Sequence, residues 1–186
     1  MSGVANPIFI LVTNRLRSGD PSKRVGVIRN VLISDVTVSD CRPSPHHGGV
    51  NPITISGRPE SRLTQITLDN IRINYPGGGR AELAETIPGY SKEYAPGKFG
   101  ERPASGLYAR NIDGLTLRNV TFSFANQDAR PLLVLSGINA LTIDSFQSQK
   151  PAGAPILRME NVRDCTIGNT PGVVSRQRAS IDRSVE

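Results

Sequence analysis

Apolar residues in this chain fall in short hydrophobic-x-hydrophobic triplets, and the triplets recur. Aligned, they are Val31-Leu32-Ile33, Ile66-Thr67-Leu68, Leu115-Thr116-Leu117, Leu141-Thr142-Ile143 and Cys165-Thr166-Ile167. Three residues before each lies another aliphatic: Ile28, Leu63, Ile112, Ile138 and Val162. Two residues after each comes Asp35, Asn70, Asn119, Ser145 or Asn169. An apolar spacing of two marks a strand with one buried face, not a helical turn. Thr, Val and Ile suit such a pleated, half-buried surface, and no stretch sustains helical periodicity. The clearest copies start at Pro131 and Pro155, 24 residues apart. Short strands at such a period are the mark of a solenoid, in which one repeat cannot bury its own core.

The triplet ends are spaced 35, 49, 26 and 24 residues apart. A basic rung of about 24 residues with loops inserted in the first half explains this. The inserted stretches, 14–24, 41–51 and 74–105, gather Gly and Pro as turn chemistry demands. The pattern predicts an all-β chain: a right-handed parallel β-helix of about five rungs, one domain over 1–186, with long loops on one side. The column Asp35, Asn70, Asn119, Ser145, Asn169 reads as a structural ladder. Asn and Asp tolerate the left-handed conformation of a tight bend and bond their own backbone.

Composition narrows the function classes. A mix of 37% hydrophobic and 20% charged residues belongs to a folded chain, not a disordered one. No apolar run is long enough to span a membrane, and the opening Met1-Ser2-Gly3-Val4-Ala5-Asn6-Pro7 does not read as a secretory signal. Cys165 occupies an inward triplet position and Cys41 borders a loop, so the two make no disulfide framework. The net charge of +6 is carried by 18 Arg against 4 Lys. Arginine's planar fork suits carboxylates and phosphates, so an acidic polymer is the expected partner. Nucleic acid fits less well than an acidic polysaccharide, because aromatic content is 5% and offers few stacking platforms.

Reactive constellations are sparse. His46 and His47 are adjacent, which makes a poor metal pair, and no Cys/His spacing matches a zinc site; no metal and no cofactor is expected. Ser44 or Ser56 with His46 or His47 and Asp40 could form a hydrolase triad, but no Gly-x-Ser-x-Gly elbow is present.

Several phrases in order carry a resemblance. They are Pro7-Ile8-Phe9-Ile10-Leu11-Val12-Thr13-Asn14-Arg15-Leu16-Arg17, the run 25–38, Pro52-Ile53-Thr54-Ile55-Ser56-Gly57 and Leu68-Asp69-Asn70-Ile71-Arg72-Ile73. Gly77-Gly78-Gly79, Phe99-Gly100-Glu101-Arg102-Pro103-Ala104-Ser105-Gly106-Leu107-Tyr108 and Asp128-Ala129-Arg130-Pro131 extend it. Together they resemble the C-terminal half of glycoside hydrolase family 28, the polygalacturonase-like pectin-degrading enzymes. The family's Asn-Thr-Asp, Asp-Asp, Gly-His-Gly and Arg-Ile-Lys motifs do not occur here: Arg72-Ile73-Asn74 lacks the lysine, and His46-His47-Gly48-Gly49 is a loop. Inverting hydrolysis needs two carboxyl groups placed around a water, so no catalytic residue is carried over. The resemblance implies a segment of a larger, secreted or periplasmic enzyme acting on pectic or other acidic polysaccharide. The opening residues read as the middle of a rung, which would leave an open strand edge and favour a homo-oligomer.

The resemblance also places the rung at 7–17 beside the substrate cleft. Asn14 for sugar hydroxyls, and Arg15 and Arg17 for a uronate carboxylate, are the candidate binding residues. Tyr75, Tyr90 and Tyr94 of the 74–105 stretch either stack on sugar or pin that stretch to the body. Two other readings remain open: a non-catalytic oligomeric sugar-binding or assembly module, and an independent esterase-like hydrolase using the loop histidines.

Overall fold

A computed structural model describes residues 1–14, 25–43, 49–90, 92–149 and 153–186. The chain is all-β, with eleven strands and two short 3-10 turns at Ala81–Glu85 and Pro96–Lys98 among the described residues. The strands are β1 (Ser2–Val4), β2 (Phe9–Leu11), β3 (Arg29–Val38), β4 (Asp40–Cys41), β5 (Ile53–Ser56) and β6 (Leu63–Tyr75). They continue as β7 (Leu107–Phe124), β8 (Leu133–Asp144), β9 (Gln147–Ser148), β10 (Leu157–Gly168) and β11 (Arg176–Val185).

Pairing is parallel throughout except at one end. β3 pairs with β6, β6 with β7, β7 with β8 and β8 with β10. Alongside, β2 pairs with β5 and β5 with β7. Five tiers follow: β2 with β3, β5 with β6, then β7, β8 and β10. The apolar triplets stack in register, with Val31 on Ile66, Leu115, Leu141 and Cys165, and Ile33 on Leu68, Leu117, Ile143 and Ile167. From the second tier on, these residues are at most 2% exposed. Burying one such side chain contributes about 1.5–3 kcal/mol, so the repeat itself is the core.

Each tier bends at fixed positions. Positive φ recurs at Asn111, Gly137 and Asn161, then at Asn30, Gln65, Gly114, Ala140 and Asp164, and finally at Asp35, Asn70, Asn119, Ser145 and Asn169. The third column is the predicted ladder. Asn70 Nδ2 donates to Asp35 Oδ1 at 2.6 Å, and Asn119 Nδ2 to Asn70 Oδ1 at 3.1 Å. Further along, Asn169 Nδ2 reaches Asp144 Oδ1 at 2.8 Å.

Strand β11 breaks the pattern. It runs antiparallel to β10, with Ile181 opposite Val162 and Arg178 opposite Cys165, and it carries the chain's last charges over that end. Tyr75 also departs from its expected place in a loop: it ends β6 and is 2% exposed. Its hydroxyl accepts from the Ile53 N–H and donates to Gly106 O, both at 3.1 Å. Burial pushes its phenol well above the ordinary range, so the O–H is retained.

Candidate functional site

On the outward face of β2, β5, β7 and β8, alternate residues present Phe9, Thr54, Tyr108 and Val134 in register. An apolar face like this needs a cover, and residues 76–90 and 92–106 supply it as a strap. Phe99 of the strap meets Phe9 and Tyr108 edge-on, with ring centroids 6.0 and 6.1 Å apart. Ala104 and Val134 complete this second, smaller apolar cluster.

Arginines fasten the strap. Arg102, 3% exposed, donates to Thr54 Oγ1 at 3.3 Å, to Gly100 O at 2.6 Å and to Pro96 O at 2.7 Å. Burial pushes its guanidinium down to about 10, which still leaves it charged at neutral pH. Arg110, 5% exposed, donates to Ser56 Oγ at 2.8 Å, to Gly89 O at 2.8 Å and to Pro88 O. Arg158, from the last tier, reaches Ala84 O at 2.5 Å. Arg130 grips Asp128 with two N–H groups at 3.0 and 2.8 Å, and the Gly79 N–H donates to the same carboxylate at 2.8 Å. Burial by itself would raise the Asp128 carboxyl, but the bonds from Arg130 and the two amides hold it below the ordinary carboxylate range.

Arg102 and Arg110 are thus buried cations that, among the described residues, have no carboxylate partner. Their charge is met by carbonyl oxygens and aromatic faces. Arg102 Cζ lies 4.9 Å from the Phe99 ring and Arg110 Cζ 4.1 Å from the Tyr90 ring. Around Tyr90 the strap opens to solvent. The ring is half exposed, its hydroxyl accepts from Asn111 Nδ2 at 2.8 Å, and Arg58 Cζ lies 5.1 Å away. Gly57 permits this closeness, because a Cβ there would sit 2.3 Å from Asn111 O. Arg58 pairs with Glu60 at 2.5 Å, while its Nη1 is buried with no hydrogen-bond partner among the described residues. Glu60 also lines an open groove of about 640 Å³, whose walls include Val25, Val27, Arg62 and Asp113.

The expected site residues divide. Asn14 follows β2, and the Val12 N–H donates to Ser56 O at 3.0 Å, so the chain leaves β2 alongside Gly57 and Arg58. Asn14 Oδ1 is buried and also unsatisfied among the described residues. Arg15 and Arg17 lie outside the described residues, as do Ser44, His46 and His47. Tyr90 pins the strap to the tiers, Tyr94 stands 62% exposed on it, and Tyr75 belongs to the core. Arg58 and Arg110 were not singled out from sequence. The available signal was strand alternation, which turns Arg110 outward in register with Ser56, whereas Arg58 lies on the turn that follows β5.

The carboxyls of the described residues whose titration is shifted all favour the charged form. A general acid needs a carboxyl held protonated near neutral pH. Glu60 is shifted down by its bond from Arg58, and Asp69, Asp128 and Glu186 are shifted down as well. Asp113 accepts from Arg62 Nε at 2.8 Å and Asn139 Nδ2 at 2.6 Å. No group of three or more His, Cys, Asp or Glu side chains among the described residues is arranged to hold a metal ion, and no helix there is long and apolar enough to cross a membrane. No family model, curated protein or solved structure matches the chain.

Proposed function

We propose that the chain is a right-handed parallel β-helix of the polygalacturonase type, and that it grips a carboxylated sugar polymer without cleaving it. The observation that carries this reading is Arg58. Its guanidinium holds an unsatisfied buried donor, stands beside the half-exposed Tyr90 ring, and lies on the turn that borders the open groove. An unsatisfied donor calls for an acceptor from outside the described residues. A uronate supplies one: its carboxylate meets the guanidinium fork, and its C–H face lies against an aromatic ring. Asn14 leaves β2 along the same edge, and Arg15 and Arg17, next in the sequence, are the further candidates for the polymer's carboxylates. The family's catalytic motifs do not occur in this sequence, and this supports the non-cleaving half of the proposal.

Calorimetric titration with polygalacturonate, and with a neutral galactan as control, tests the proposal. A hydrogen bond to a charged group is worth about 1.5–3 kcal/mol, so Arg58→Ala should weaken polygalacturonate binding roughly 10- to 150-fold. Equal binding of the neutral polymer, or an Arg58→Ala protein that binds as well as the parent, rejects the site. Release of new reducing ends from polygalacturonate rejects the claim that the chain does not cleave.

A further inference from the structure

Strand β3 bonds to β6 on one side and, among the described residues, to no strand on the other. Only at its far end does another residue approach: the Met1 ammonium donates to Thr37 O at 2.7 Å. The inward side chains show what this openness means. Val31, Ile33 and Val36 are only partly buried, whereas their register partners Ile66, Leu68 and Ile71 are 0% exposed. Leu32 projects outward and is 65% exposed, where the next four tiers carry Thr67, Thr116, Thr142 and Thr166. A bare edge with an apolar fringe is a template for another strand.

We propose that this edge pairs with the β3 edge of a second copy of the chain, antiparallel, across a two-fold axis at Leu32. The register follows from facing rules. Inward residues must lie opposite inward residues, because a slip of one residue turns every side chain to the wrong face. Centring on Leu32 sets Val31 against the partner's Ile33, Asn30 against the partner's Ser34, and Arg29 against the partner's Asp35. The two-fold axis makes each pair occur twice. Arg29 is exposed and has no ion-pair partner among the described residues. Asp35 is exposed too, and its Oδ1 alone is used, by Asn70. Moved by two residues in either direction, the pairing sets Arg29 against the partner's Ile33 or Thr37 and loses both charge pairs. The second of these also meets Met1, which already holds Thr37 O.

The other end of the molecule shows that such a pairing can follow the bends. β11 runs antiparallel along β10 past the left-handed residues Asn161 and Asp164, and keeps the inward Ile181 opposite the inward Val162. At β3 the antiparallel strand comes from the partner instead of from the chain's own C-terminal segment.

The decisive experiment is a cross-link with a mass measurement. Cys41 and Cys165 are buried, so an introduced thiol is the reactive one. Under mild oxidation, Leu32→Cys should form a covalent dimer, while Thr142→Cys, in the same column two tiers inside the edge pair, should not. In sedimentation equilibrium, the parent chain should run at twice its 20.0 kDa. Arg29→Asp should weaken the dimer at least tenfold, and Arg29→Asp with Asp35→Arg should restore it. Leu32→Thr, which only copies the neighbouring tiers, should weaken it in a fully folded protein. A monomeric parent at micromolar concentration overturns the proposal. So does a dimer indifferent to Leu32→Thr, or equal cross-linking at Leu32→Cys and Thr142→Cys, either of which would point to another surface.

Discussion

Ala140 and Gly114 occupy the same bend in neighbouring tiers, with φ of 55° and 85°, and this sets up a matched pair of substitutions. An L-residue held in the left-handed region costs roughly 1–2 kcal/mol, through the approach of its Cβ to the following carbonyl. Glycine escapes that cost but loses about 0.4–1 kcal/mol more chain entropy on folding. Ala140 is exposed, so truncating its methyl removes no core contact. The balance predicts that Ala140→Gly stabilises the protein by about 0.5–1 kcal/mol. The reverse change tests the same quantity from the other side. A Cβ at Gly114 would lie 3.4 Å from Gln65 Cα and 3.5 Å from Gln65 N, ordinary contact distances, so no clash adds to the conformational cost. Gly114→Ala should therefore destabilise by about 0.5–1 kcal/mol. With a urea m-value of about 1–3 kcal/mol/M, the midpoints should move in opposite directions by roughly 0.2–1 M at unchanged slope. Ala140→Gly lowering the midpoint, or both changes moving it the same way, would refute the idea that these bends store conformational strain.

Three further outcomes follow from the packing. Tyr75→Phe removes the hydroxyl's bonds to the Ile53 N–H and Gly106 O, which still hold each other at 3.0 Å, and should cost roughly 0.5–1.5 kcal/mol in urea unfolding, with the far-ultraviolet strand signal unchanged; a cost above ~2 kcal/mol would mean that the hydroxyl also holds that backbone pair in place. Asp128 has its carboxyl depressed in the folded state, so the stability it contributes is present above its unfolded value near ~3.9 and is lost as pH falls through the lower folded value. Asp128→Asn should lower the urea midpoint at pH 6 and flatten its decline below about pH 4, and an undiminished decline in the variant assigns the acid sensitivity elsewhere. Arg110→Ala removes the bonds to Pro88 and Gly89, and tryptic cleavage at Lys92 or Lys98 should speed up about tenfold for each ~1.4 kcal/mol of local stability lost. Cleavage at the parent rate would show that the aromatic contacts alone hold the strap.

The tiers were legible because strand periodicity survives in short apolar triplets, and the triplet alignment is the pairing register itself. The ladder at Asn70 and Asn119 was legible because asparagine advertises a left-handed bend. The second bend column was not, since Gln65 and Ala140 carry no such signal and adopt positive φ only because the stack imposes it, while Asn111, Gly137 and Asn161 of the first carry the signal but stand ahead of the aliphatic that precedes each triplet, outside the aligned pattern. β11 escaped notice for a related reason. Of its ten residues, Ile181 is the only large aliphatic packed against the core, so no triplet announces it. At the candidate site, Asn14 was expected from the family resemblance of the rung at 7–17, and the structure places it just past β2, where the chain runs alongside Gly57. Arg110 was not expected, because its partners are largely backbone carbonyls and aromatic faces, and a carbonyl leaves no trace in the sequence; Arg58 was not, because its Glu60 pair reads as an ordinary surface turn and its Tyr90 contact joins segments far apart in the chain. Tyr75 looked like a loop residue because it follows the last apolar position of β6 by a polar residue, although the hydroxyl's two backbone bonds draw it inward.

In a stack where every layer touches only its neighbours, unfolding can start at an end and run inward one layer at a time, as a zipper opens. The strap denies this molecule that route. It is tied to Phe9 in the first tier, Thr54 in the second, Arg110 in the third and Arg158 in the fifth. Peeling away the last tier therefore means releasing a segment that also holds the first. Layers far apart along the axis share one fate, and melting should be sharper than nearest-neighbour coupling alone would give.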